Sequence, residues 1–345
     1  MNSRGVASRL NLYFKILCCI FLGMQGMWVL GYVIEPSFPV DNPNFKLNKS
    51  IETFIQPTAS GLPISGTFGC VRNSGKKFHE GIDLKSIQKD KKNNPLDPIF
   101  AIWPGKVVHL GTQPGAYGLY VVLEHTDFEP SLYTLYAHLA KIDSRLKVGD
   151  SVHQGALIGT MGHSSTSTIP KERAHLHFEI GVQLSNRFDS WYKRQNFSVP
   201  NAQGPWNGLN LVGIDPLDFF EGFREGRIDN LKTYLQALPT AFTVTIPYSS
   251  VPFFVNHYPS LLTEPLTSNK PIKGWKVDFT WYGFPKSWTP VTALNTSTKG
   301  PLLESYDESL LSQAKKRKTL SQNKKGKVRI GSTLAQIIDI LFLKT

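Results

Sequence analysis

Acidic residues are scarce in this chain and cysteine is nearly absent. The 345 residues hold 26 Asp or Glu against 38 Lys or Arg, a net charge of +12. Of the 3 cysteines, Cys18 and Cys19 lie in an apolar N-terminal run, so Cys70 stands alone in the remainder. Once that run is set aside no intramolecular disulfide can close, and stability must come from packing and from any metal the chain holds. Cys70 itself reads as a small buried apolar residue, the usual role of a free thiol. The pattern H-E-x-x-H is missing, which excludes the metallopeptidase class whose helical glutamate serves as general base. Apolar runs of spanning length are missing too, apart from residues 16–34. The closing "LAQIIDILFL" is too short to cross a bilayer as a helix, and reads as a segment that packs back or lies at an interface.

The N-terminal run follows Arg4, Arg9 and Lys15. That order of cations and apolar residues reads as a signal sequence, or as an uncleaved anchor of nearly sufficient length. Val29 and Gly31 are small enough for cleavage before Tyr32, whereas Cys18 and Cys19 lack the small neighbours expected of a lipoprotein signal. Export is therefore expected.

The most informative residues are histidines. In "FHEGIDL" His79 and Asp83 stand four apart around a glycine, and in "RAHLHFEI" His175 and His177 stand two apart in a strand-forming run. Alternation along a strand puts His175 and His177 on one side. Two imidazoles and one carboxylate are a usual ligand set for a catalytic zinc with an open fourth position. His138, in "LYTLYAHL", adds a further imidazole for proton transfer or charge stabilisation. His109, His125, His153, His163 and His257 read as ordinary core or surface histidines. Glu80 and Glu179, beside the candidate ligands, are expected to point away from them.

Taken in order, "SGTFGCVR", "HEGIDL", "PIFAIWPGKVVHLG", "YGLYVVLEH", "LYAHLAKI", "VGDSVHQGALIGTMG" and "HLHFEI" resemble the lysostaphin-type (LytM-like) zinc endopeptidases, peptidoglycan hydrolases that cut peptide cross-links in bacterial cell walls. The resemblance resumes in "GIDPLDFF" and covers close to half the chain. It implies a mainly β fold, the duplicated hybrid motif sandwich or barrel with an open metal groove. It also implies zinc, one per chain, on His79, Asp83 and His177, with His138 and His175 as the two catalytic histidines. Three stretches depart from the family: the polar "QKDKKNN", the glycine-poor "GHSSTSTIPKERA", and an insertion at about 183–212 that carries Trp191, Tyr192 and Trp206. Such loops flank the groove and bear on peptide specificity, not on the metal.

Composition shifts divide the chain. Residues 1–34 are the signal or anchor, 35–62 a proline- and asparagine-rich linker or N-terminal arm, and 63–222 the zinc endopeptidase domain. Many short apolar runs punctuated by glycine support an all-β reading of that domain. Residues 223–312 form an extension with helical and β-rich character and no recognised motif. Asp215 before Pro216 marks a helix start, and Trp275, Val277, Phe279 and Trp281 share one face of a strand. Residues 313–345 are a basic tail, with eight Lys or Arg and no acid between Gln313 and Arg329. It reads as a disordered, solvated segment, or alternatively as one that attracts anionic wall polymer or lipid. Nucleic acid is not expected as a partner of an exported chain.

The function expected is an exported zinc-dependent endopeptidase of peptidoglycan stems or cross-bridges, periplasmic or extracellular, with the N-terminal segment either cleaved or kept as an anchor in the cytoplasmic membrane. The alternative is a non-catalytic wall-binding or amidase-activating module, though such members of the family typically lose metal ligands. A carrier of similar β architecture is disfavoured, because the hairpin "VGDSVHQGALIG" has no lysine at its tip.

Overall fold

The computed structural model describes residues 33–113, 115–166, 169–266, 271–294 and 300–343. The expected signal or anchor lies almost wholly outside them. Among the described residues no helix is long and apolar enough to cross a membrane. The chain is mainly β, in antiparallel sheets. A short hairpin pairs β1 (Gly69–Arg72) with β2 (Lys77–His79). A nine-stranded sheet then takes β3 (Ile82–Lys85), β4 (Pro98–Phe100), β5 (Gly105–Gly111), β6 (Leu119–His125), β7 (Leu132–Ile142), β8 (Ser151–Val152), β9 (Leu157–Met161), β10 (His175–Gln183) and β11 (Leu211–Ile214). Its central path runs β11-β10-β7-β6-β5-β8, with β3 on β10 and β9 on β7.

Strand β10 is the axis of the molecule and is buried along its whole length. Alternation sorts its side chains. Leu176, Phe178, Ile180 and Val182 enter the main core, while His175, His177 and Glu179 take the opposite face. That opposite face carries a smaller apolar cluster, in which Leu135 and Ala137 of β7 stand across from Glu179 and His177. The insertion covers this face. It contributes Trp206, 6.1 Å from the Tyr133 ring.

Residues 35–62 pack as an arm. Asn42 caps the short helix α1 (Pro43–Lys46), accepting from the amides of Asn44 and Phe45, and Val40, Phe45, Phe54 and Ile55 enter the main core. The insertion forms α2 (Phe188–Arg194). Asp215 caps α3 (Pro216–Arg224) as expected, and α4 (Leu231–Ala237) follows. A four-stranded sheet, β14-β13-β12-β15, is built from β12 (Phe242–Ile246), β13 (Gly274–Phe279), β14 (Pro285–Val291) and β15 (Leu302–Tyr306). The stretch after β12 turns into α5 (Phe253–His257). Trp275, Val277 and Phe279 do share one buried face. Trp281 does not join them, because β13 ends at Phe279 and Thr280 opens a turn. Its ring packs instead 5.9 Å from Phe78, on the hairpin.

The basic tail is folded, contrary to the expectation of a disordered segment. Helix α6 (Glu308–Arg317) leads into a hairpin of β16 (Leu320–Gln322) and β17 (Val328–Ile330), and α7 (Ser332–Leu341) closes the chain. The reason lies in the residues between the cations. Leu311, Ala314, Leu320, Leu334, Ile337 and Ile340 are all buried in the same core as β10. Burying side chains of this size contributes roughly 1.5–3 kcal/mol each, enough to order a segment whose lysines stay in water. Residues from Val33 onward thus form one compact unit.

Candidate metal centre

Sheet register brings the five sequence-picked residues together. Asp83 of β3 and His177 of β10 are direct cross-strand partners, and His177 is likewise opposite Ala137 of β7. His79 arrives at the end of β2, four residues before Asp83. Gly81 makes that approach possible: a Cβ there would lie 2.1 Å from the Phe178 carbonyl oxygen, so no side chain fits where the turn crosses β10. His138 sits where β7 leaves β10 and takes up β9, at a bulge opposite Leu119 and Val121. Its φ of 61° breaks the strand alternation that would otherwise set its direction. Gly118, with φ +61°, leaves room for the Ser164 carbonyl, which accepts from His138 Nδ1 at 2.8 Å.

His79 Nε2, Asp83 Oδ1 and His177 Nδ1 converge. The two nitrogens are 3.0 Å apart, and each lies 3.1 Å from the carboxylate oxygen. A tetrahedral zinc with bonds near 2.0–2.1 Å has ligand–ligand edges of about 3.3 Å, so the three donors fit such an ion within a few tenths of an ångström. The outer nitrogens set the tautomers. His79 Nδ1 donates to the Thr67 carbonyl at 2.8 Å, and His177 Nε2 donates to Glu179 Oε1 at 2.8 Å. Each imidazole therefore turns a lone pair inward, against the other and against a carboxylate. Arg72 donates to the inward side of His79 and to Asp83, and a proton on His177 Nδ1 can bridge to the same carboxylate; the set of two nitrogens and one oxygen suits zinc in place of that proton.

These groups are shielded, with exposures of 0% for His79, 2% for Asp83, 8% for His175 and 5% for His177. Burial alone would raise the Asp83 carboxyl, but its electrostatic interactions with the His79 and His175 rings and the hydrogen bonds with His177 and His79 outweigh it and hold it well below the usual range. Burial also opposes a charged His177, yet its hydrogen bonds to Asp83 and Glu179 prevail and raise it to about 9. A proton therefore competes with a metal for its Nδ1.

His175 donates through Nδ1 to the Arg173 carbonyl at 2.7 Å, which leaves Nε2 unprotonated and 3.6 Å from Asp83 Oδ1. His138 is held the same way through Ser164, with its ring 4.9 Å from that of His175. Burial lowers both, aided at His138 by His175 and His177, which bring it to about 3. Two neutral imidazoles thus present free nitrogens beside the three-donor cluster.

Residues missed in the sequence complete the site. Arg72 places one guanidinium nitrogen against Asp83 Oδ2 and 2.8 Å from His79 Nε2. Nothing short of the β1–β2 pairing reveals it. Glu179, expected to point away, is a correction: it shares the His177 face because the two are two apart on one strand. It also accepts from the hydroxyls of Tyr117 and Tyr133 at 2.8 and 2.9 Å. The alternation that paired His175 with His177 extends to it directly.

Comparison with known proteins places these residues in context. The sequence model of peptidase family M23 matches residues 77–189. Among curated proteins, lipoprotein NlpD of Yersinia enterocolitica is 35% identical over 83 residues, which is 24% of this chain and 75% of that sequence. The lipoprotein YgeR of Escherichia coli is 36% identical over 84 residues, again 24% of this chain but only 29% of that protein. Among solved structures, the catalytic domain of the antimicrobial peptidase lysostaphin from Staphylococcus simulans is 27% identical, with 45% of this chain and 87% of that chain covered at a TM-score of 0.29.

Proposed function

The chain belongs to peptidase family M23, and from that premise we propose that it is an exported, zinc-dependent endopeptidase that hydrolyses peptide bonds in peptidoglycan stems or cross-bridges. The observation that carries this reading is the convergence of three metal-type donors within 3.0–3.1 Å, with two further neutral imidazoles beside them. His79, Asp83 and His177 would hold the metal. When bound, a zinc ion at this place would polarise the scissile carbonyl and bring the pKa of the attacking water toward neutral.

The remaining steps fall to side chains. His175 and His138 each keep Nδ1 on a backbone carbonyl, which leaves Nε2 unprotonated, so each can take the proton of the attacking water and, once protonated, hold the developing oxyanion. Glu179 keeps His177 in the tautomer that a ligand needs. Arg72, on the outer oxygen of Asp83, holds that carboxylate in place. Both curated relatives are named as lipoproteins. That supports a place in the cell envelope, as does the cationic and apolar N-terminal run.

Digestion of purified peptidoglycans of several cross-link types, with mass analysis of the fragments, tests the reading. New amine and carboxyl termini within stem or bridge peptides are expected. Intact peptides after incubation with the zinc-loaded chain would leave a binding or amidase-activating module as the better account.

A further inference from the structure

We propose that the β1–β2 hairpin and the C-terminal end of α6 form a carboxylate-binding subsite, which takes a free acid group of the peptide held at the metal centre. Arg317 is the principal residue. Its guanidinium lies 3.9 Å above the ring of Phe78, the neighbour of His79 in the chain. Its Nε is shut off from solvent and donates to nothing, and its guanidinium makes no ion pair among the described residues. Arginines placed this way usually donate to a carboxylate or a phosphate.

Four lysines surround the same place. A cavity of about 250 Å³ is lined by Lys76 and Lys77 of the hairpin and by Lys316, Arg317 and Lys318 at the end of α6, with Glu80 the single acid. The lysines are exposed, and among the described residues none of them forms an ion pair. Thr333 adds the amino end of α7, whose dipole favours an anion. Cations in the last turn of a helix are ordinary complements of its dipole, and that would account for the presence of Lys316 and Arg317 there. It does not account for the hairpin lysines, which come from a different part of the chain, nor for Arg317 lying over Phe78.

Position selects the ligand. Lys77, Glu80, Arg317 and Thr333 also line a larger cleft of about 420 Å³ that reaches Tyr117. Tyr117 lies 5.8 Å, ring to ring, from His177. None of the five metal-centre residues lines either cavity, so the acid group the cations would take belongs to a part of the peptide away from the scissile bond, on the far side of Tyr117. A guanidinium fork with one or two lysines matches a planar carboxylate. This deepens the proposed function and rests on it for the identity of the peptide, while binding is read without turnover.

The experiment uses the full chain carrying His175→Ala, so that no cleavage intervenes. A peptidoglycan stem peptide with free carboxylates and its fully amidated counterpart are titrated by calorimetry at two salt concentrations. The acid form is expected to bind roughly 10-fold more tightly, with a difference that shrinks as salt screens it. Arg317→Gln should erase the preference, and Lys77→Gln, at an exposed position that cannot unfold the chain, should reduce it several-fold. Equal affinity for acid and amide would overturn the proposal, as would a Lys77→Gln chain with the full preference. A polyol-phosphate polymer bound more tightly than the acid peptide, and lost with Arg317→Gln, would assign the cluster to phosphate and overturn it as well. Cleavage of peptidoglycan without any acid preference would sink this subsite and leave the endopeptidase reading intact.

Discussion

Glu179 accepts the Nε2 proton of His177 at 2.8 Å, and that single hydrogen bond decides which way His177 can bind a metal. The carboxylate is fully buried, yet the His177, Tyr117 and Tyr133 hydrogen bonds outweigh burial and keep it below the usual range. A charged Glu179 makes His177 a better donor and fixes its ring. Glu179→Gln should therefore weaken zinc binding by roughly 10- to 100-fold, the usual scale for an outer-shell partner. Competition against a chelator of known affinity measures it. Unchanged affinity would refute the assignment.

The proposed division between ligands and proton carriers makes a second prediction. His177→Ala should lose zinc and activity together, because a three-ligand site does not survive the loss of one imidazole. His138→Ala and His175→Ala should retain about one zinc per chain while activity drops roughly 100-fold or more. Metal content by atomic absorption decides it. A metal-free His138 or His175 variant would make that residue a ligand.

Asp215 supplies a pH dependence away from the centre. It caps α3 by accepting from the Leu217 amide at 2.9 Å, and burial raises its carboxyl to about 6. A carboxyl with a raised folded pKa binds its proton more tightly folded than unfolded. Its contribution is therefore greatest below about pH 4 and is lost as pH rises through about 6. Two pKa units correspond to roughly 3 kcal/mol. Asp215→Asn keeps an acceptor at the cap but cannot ionise. Melting curves should show the variant gaining on the parent between pH 4 and pH 7, and a constant difference across that range would count against the shift.

The folded C-terminal segment leads to a fourth expectation. Ile340 is fully buried, as is Leu334. Ile340→Ala should destabilise the chain by about 2–5 kcal/mol, the range for such truncations in a packed core. Ending the chain after Ser312 should expose the core and yield an unstable or insoluble protein. A truncated chain that melted like the parent would mean that the last two helices add nothing to the core.

The sequence by itself picked out the five candidate site residues. Spacing alone put His175 and His177 on one face, since a strand has a period of two, and the ordered resemblance added His79, Asp83 and His138. It also placed the α3 cap, because Asp before Pro can serve a helix start in few other ways. It missed the fate of the lysine-rich end, where charge was read as disorder although Leu311, Leu320, Leu334 and Ile340 are spaced among the cations to bury. Only the tertiary structure decided that Asp83 lies directly across from His177, that Arg72 reaches Asp83, and that Arg317 meets the hairpin 240 residues earlier in the chain. The physical reason is that strand register and core docking are set by long-range packing, which no local pattern of residues encodes.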